Sequence, residues 1–73
     1  MNIRHLVKMA NQIGQFFEDE PDQGQAIKDV ALHLKRFWDL KMRQAIVSHV
    51  NNGGEGLLPI VMEAVIDYQE LLA

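Results

Sequence analysis

Asp22-Gln23-Gly24-Gln25-Ala26-Ile27-Lys28-Asp29-Val30-Ala31-Leu32-His33-Leu34-Lys35-Arg36-Phe37-Trp38-Asp39 is the stretch that decides the fold. At 100° per residue, Ile27, Val30, Ala31, Leu34, Phe37 and Trp38 fall within about 120° of arc, the one buried stripe of an amphipathic helix. Asp22 stands as N-cap, and Gln25 three positions later gives the spacing of a capping box with Asp in place of Ser or Thr. The two aromatics that end the stripe, Phe37 and Trp38, are expected to anchor the core. Asp39 is placed to cap a third helix from Leu40 to about Val50, and periodicity leaves open whether the second and third helices are separate.

The same period extends to both sides. Ile3, Leu6, Val7, Ala10, Ile13, Gly14 and Phe17 again share about 120° of arc. Gly14 lies on that stripe, which predicts a neighbouring helix packed against its bare backbone, because glycine otherwise costs a helix about 1 kcal/mol relative to alanine. Glu18-Asp19-Glu20-Pro21-Asp22 and Asn51-Asn52-Gly53-Gly54-Glu55-Gly56 are turn sequences that divide the chain. Pro59 suits the first turn of a fourth helix running to Leu72, with Ile60, Val61, Ala64, Val65, Tyr68, Leu71 and Leu72 on one broad face. No strand pattern competes. The expected fold is all-α, a small bundle of three to four short helices forming one domain over residues 1–73.

A chain of 73 residues without a cysteine buries only about 60% of its unfolded surface and has neither a disulfide nor a thiolate-held metal to support it. Yet 48% of its residues are apolar, more than a thin core readily hides. The net charge of −3 argues against general affinity for nucleic acid or anionic lipid. Basic charge is concentrated mid-chain: residues 23–52 carry +3, whereas 18–22 and 53–73 carry −4 each. No apolar run is long enough to span a bilayer and the N-terminus lacks a signal-peptide layout, so a cytoplasmic location is expected.

The apolar surplus has a pattern. His5, Met9, Gln12 and Phe16 form a second line on the first helix, rotated from the main stripe. Met42 and Ile46 on the third helix, and Met62 and Ile66 on the fourth, are likewise read as off-stripe, and Leu32 stands alone on the second. All three internal methionines belong to this surplus, and flexible thioethers suit surfaces that adapt to a partner. Second faces of this kind are either further core or a docking patch.

Candidate chemistry is sparse. Asp29 and His33 stand at i, i+4, but His5, His33 and His49 lie on three different helices, and no second local pair completes a metal site. Ser48 and His49 are adjacent and point about 100° apart, which is wrong for a nucleophile and its base. The glycine cluster at 53–56 lacks the lysine and preceding strand of a phosphate loop, so it reads as a helix stop and turn. Lys35, Arg36, Lys41 and Arg43 interleave with Phe37 and Trp38 in the manner of a nucleic-acid surface, but both aromatics sit on the core stripe. Arg43 projects among Leu40, Val47 and Val50, where it snorkels, pairs with Asp39 one turn earlier, or reaches a carboxylate on a partner.

Met9-Ala10-Asn11-Gln12-Ile13-Gly14-Gln15-Phe16-Phe17, Pro21-Asp22, His33-Leu34-Lys35-Arg36-Phe37-Trp38, Lys41-Met42-Arg43 and Gly53-Gly54-Glu55-Gly56-Leu57-Leu58-Pro59-Ile60-Val61 together resemble, in order and spacing and almost end to end, the delta subunit of the cytoplasmic NAD-dependent formate dehydrogenases. Leu40, where that pattern has proline, and Lys41, where it has arginine, are departures at the junction of helices two and three. The resemblance implies a non-catalytic accessory subunit of a complex whose larger subunits carry a molybdenum or tungsten pterin, iron–sulfur clusters and flavin. It implies no cofactor in this chain. The expected partner is chiefly the catalytic alpha subunit, and the expected contact residues are Met9, Phe16, Met42, Arg43, Ile46, Gly53, Gly54, Pro59, Met62 and Ile66, with Phe37, Trp38 and Gly14 kept for packing. A self-associating helical module, forming a homodimer, and a small nucleic-acid-binding regulator are the alternatives from other classes.

Overall fold

Three polar side chains set where the first three helices begin. In the computed structural model, which describes residues 1–73, Asn2 Oδ1 accepts from Arg4 N (2.9 Å), Asp22 Oδ1 from Gln25 N (3.1 Å) and Asp39 Oδ1 from Met42 N (2.9 Å). Each satisfies an amide that a helix leaves unpaired at its start. The helices they open are α1, Ile3–Phe17, α2, Gln23–Phe37, and α3, Leu40–Asn51. Pro59 opens α4, Pro59–Asp67, and a short α5, Gln69–Leu72, follows. The chain is all-α, about 75% helical. No helix is long and apolar enough to cross a membrane.

Helices two and three are separate because Trp38 (ψ 137°) and Asp39 (ψ 171°) are both extended. The glycine cluster stops α3 as expected. Gly53 N donates to Val50 O (3.1 Å) and Gly54 N to His49 O (2.9 Å), the paired bonds of a Schellman ending, with Gly53 at φ +110°. The expected fourth helix running unbroken to Leu72 is corrected: it breaks at Tyr68 (φ −116°, ψ 29°), and α5 carries Leu72 to complete burial. There are therefore five helical segments, four of them longer than one turn, against the three to four expected.

The core is built from one stripe of each helix. Leu6 and Ala10 of α1, Ala26, Val30, Ala31 and Leu34 of α2, Ile46 and Val50 of α3, Ile60, Val61, Ala64 and Val65 of α4, and Leu72 of α5 are buried together with Trp38. Gly14 is where the backbone of α1 packs closely on α4. A Cβ there would stand 2.7 Å from Val61 Cγ2 and 3.0 Å from Ile60 Cγ2, so the bare backbone is the condition for that approach.

Two expectations about the core are overturned. Ile46 is fully buried, so it belongs to the core rather than to an outer face. Three and four positions from Arg43 and Val50, it lies at the centre of the stripe that α3 turns inward. Phe37, assigned to the core, is 71% exposed. Its angular position is one edge of the α2 stripe, about 60° from the fully buried Leu34 of the same turn, and its ring stays open to water.

Candidate docking groove

An open apolar groove of about 490 Å³ lies where α1, the end of α2 and the start of α3 meet. Met9, Gln12, Ile13, Phe16 and Phe17 form its α1 wall, His33 and Phe37 come from α2, Trp38 from the junction and Met42 from α3. Helical spacing puts the α1 residues in line, since 9, 12, 13, 16 and 17 repeat at three and four. On the other side, the cap at Asp39 ends α2 and starts α3 within two residues, which brings Phe37, Trp38 and Met42 to one corner.

Ring contacts run across the groove. Phe16 and Phe17 pack edge to face with centroids 5.0 Å apart, Phe17 and His33 stand at 6.3 Å, and His33 and Phe37 at 4.7 Å. These are the separations of favourable aromatic pairs. Phe16 nevertheless remains 80% exposed. Two phenylalanine rings, largely open to water beside a half-buried Met9 and Met42, make an apolar surface whose burial would be favourable.

Met9, Phe16 and Met42 are thus brought together, as the second-face reading of the sequence placed them on one kind of surface. The other candidates lie elsewhere. Gly54 is buried, at φ +64°, and the space a Cβ would occupy is filled by the Met62 sulfur, so Gly54 and the half-buried Met62 pack on one another. Gly53 is exposed on the loop joining α3 to α4, Pro59 is exposed at the start of α4, and Ile66 is 52% exposed on α4. Sequence reasoning missed Ile13, Phe17, His33, Phe37 and Trp38 as groove lining. The signal that marks Phe37 is its place at the edge of the α2 stripe, about 60° from Leu34.

Arg43 does not pair with Asp39 as the intrachain alternative had it. Asp39 Oδ1 is engaged with Met42 N, and the Nε and Nη1 of Arg43 are buried without a hydrogen-bond partner. Each such donor costs about 1–3 kcal/mol when left unsatisfied.

The loop behind α1 is held by Asn11, a residue that helical periodicity leaves unremarked. Its Nδ2 donates to Gly56 O and its Oδ1 accepts from Leu58 N, both at 2.9 Å. His49 Nε2 adds a bond to Glu55 O at 2.8 Å. Asn11 thereby fixes α1 against the entry to α4, and with it the wall that carries Met9 and Phe16. The chain has no cysteine, and no group of three His, Asp or Glu side chains is placed to hold a metal ion.

No curated protein and no solved structure matches the chain. One family model does, that of the NADH-dependent formate dehydrogenase delta subunit FdsD, over residues 5–65. That span takes in both walls of the groove, the Asn11 clasp and the glycine loop. The chain therefore belongs to the FdsD family of NADH-dependent formate dehydrogenase delta subunits.

Proposed function

We propose that this chain is a non-catalytic subunit that docks through the groove onto a larger subunit of an NAD-dependent formate dehydrogenase, chiefly the catalytic alpha subunit, and supports assembly or stability of that complex in the cytoplasm. The observation that carries the reading is Phe37: it continues the buried stripe of α2, yet it is 71% exposed because nothing in the chain covers it. Together with Phe16 it forms an apolar anchor site of the kind that holds interfaces together. Family membership supports a partner within a formate dehydrogenase complex. In this reading the chain ligates no cofactor, and Arg43, Gly53, Pro59 and Ile66 are contacts outside the groove, with Ile46, Gly54 and Met62 supporting the fold from within.

The test is co-expression with the larger subunits and purification through a tag on the alpha subunit. The chain is expected to co-purify, and the double variant Met9→Asp with Phe16→Asp is expected to be lost. A normal complex retained by that variant would overturn the groove as the docking site. Light scattering of the isolated chain tests the homodimer: a monomer across a wide concentration range leaves the groove to another subunit.

A further inference from the structure

Of the four asparagines, at positions 2, 11, 51 and 52, only Asn52 precedes a glycine. Gly53 has no side chain to shield its nitrogen, and nothing lies within 4 Å of where its Cβ would stand. Both residues are exposed, at the C-terminal end of α3. Their reactive groups are nevertheless restrained. Asn52 Nδ2 donates to Ser48 O (2.8 Å) and Gly53 N donates to Val50 O (3.1 Å). Asn52 also sits at ψ 23°, a dihedral that turns the Gly53 nitrogen away from the Asn52 side chain. All three restraints belong to the last turn of an exposed helix end, where opening is local and costs far less than unfolding the core.

We propose that Asn52-Gly53 is a site of spontaneous deamidation, gated in the folded chain by fraying at the end of α3 rather than by unfolding of the bundle. Once Asn52 rotates and both bonds open, the Gly53 nitrogen attacks Asn52 Cγ. The N–Cγ bond forms as the Cγ–Nδ2 bond breaks, and the side-chain NH2 leaves with the Gly53 amide proton as ammonia. Water then opens the cyclic imide at either of its carbonyls. The product is an aspartate, or an isoaspartyl linkage in which the main chain runs through the side-chain carbon. Both products put a carboxylate where α3 presents its unpaired carbonyls, and both remove the donor to Ser48 O. The isoaspartyl form also lengthens the backbone just ahead of Gly53 N and Gly54 N, whose bonds to Val50 O and His49 O end the helix. Ageing thereby unfastens the start of the loop that joins α3 to α4.

The full chain is incubated in mildly alkaline buffer beside a peptide of residues 48–56, the unprotected reference. Trypsin has no site beyond Arg43, so the C-terminal fragment 44–73 carries the readout. Its mass should rise by about 1 Da, and isoaspartate-specific methylation should label it. The chain should convert at least about tenfold more slowly than the peptide, because the turn is mostly closed. Asn52→Gln, whose longer side chain would have to close a larger ring, should abolish conversion. Asp22→Ala, which removes the cap of α2, should change the rate less than about twofold, whereas a route through the unfolded state would raise it about fivefold. Urea well below the midpoint should likewise leave the rate nearly unchanged. In the aged chain the Gly53 and Gly54 amides should exchange faster than in the fresh one, and unchanged exchange would overturn the unfastening. A fragment that stays unmodified while the peptide converts, a chain as fast as the peptide, conversion that persists in Asn52→Gln, or a rate that tracks global stability would each overturn the gated site.

Discussion

Replacing Gly14 with alanine probes a close contact between α1 and α4. The new Cβ would lie 2.7 Å from Val61 Cγ2, 3.0 Å from Ile60 Cγ2 and 3.7 Å from Leu58 Cδ1, where carbon atoms ordinarily rest about 3.5–4.0 Å apart. Val61 is fully buried and Ile60 nearly so, so neither methyl has free space to retreat into. Overpacking of this kind costs about 1–3 kcal/mol. Alanine returns about 1 kcal/mol of helix propensity, which leaves Gly14→Ala destabilised by about 1 kcal/mol. Valine adds two more carbons to the same gap and gains less propensity, so Gly14→Val should lose about 3 kcal/mol. The control is Gly24→Ala in α2, whose Cβ would meet only Asp22 Oδ1, at 3.4 Å. There the entropic gain of about 0.5 kcal/mol should appear as stabilisation. With an m-value of about 1 kcal/mol/M for a chain of this size, urea midpoints should fall by about 1 M for Gly14→Ala and rise by about 0.5 M for Gly24→Ala. A Gly14→Ala midpoint at or above that of the parent, at unchanged m, would refute the close-packing argument.

Other perturbations follow from the same geometry. Asn11→Ala removes both bonds to the α3–α4 loop and should cost about 1–2 kcal/mol, with hydrogen exchange at the Leu58 amide accelerated beyond the global change. Asp39→Ala deletes the α3 cap and should lower stability by about 1 kcal/mol in the same urea assay. Arg43→Met separates stability from docking: with two unpartnered buried donors gone, the isolated chain should be unchanged or stabilised by about 1 kcal/mol, while retention by the larger subunits falls. Phe37→Ser, at a ring that is 71% exposed, should shift the urea midpoint of the isolated chain by less than about 0.5 M and still reduce co-purification.

Much of the fold is legible in the residues, because local chemistry and burial agree along most of the chain. Asp22, Asp39 and Pro59 start helices where caps and a first-turn proline should, and Gly53 and Gly54 end one. The break at Tyr68 is not legible, since no glycine or proline marks it. Beyond it, α5 places Leu72 in the core. Phe37 and Ile46 fail in opposite directions for a shared reason. Angular position says which way a side chain points, but burial also requires another element opposite, and that depends on where neighbouring helices begin and end. Ile46 sits mid-stripe and is enclosed, whereas Phe37 sits at the edge of its stripe and is left open. The groove was half legible: the line Met9, Gln12, Phe16 is visible as a second face of α1, but its other wall depends on the corner at Trp38 and Asp39, which periodicity left undecided.

The Asn11 clasp also sets a clock. Its two bonds join residues 45 and 47 positions apart, so α1 can fold on leaving the ribosome but cannot be locked until Leu58 has been made. At about 5–20 residues per second that interval lasts about 2–9 s. Throughout it, Phe16 and Phe17 lie on a helix with no settled neighbour, open to whatever hydrophobic surface is nearby. Synthesis beside a larger subunit would turn that exposed interval into an opportunity for pairing, whereas synthesis alone would make it the moment of greatest risk.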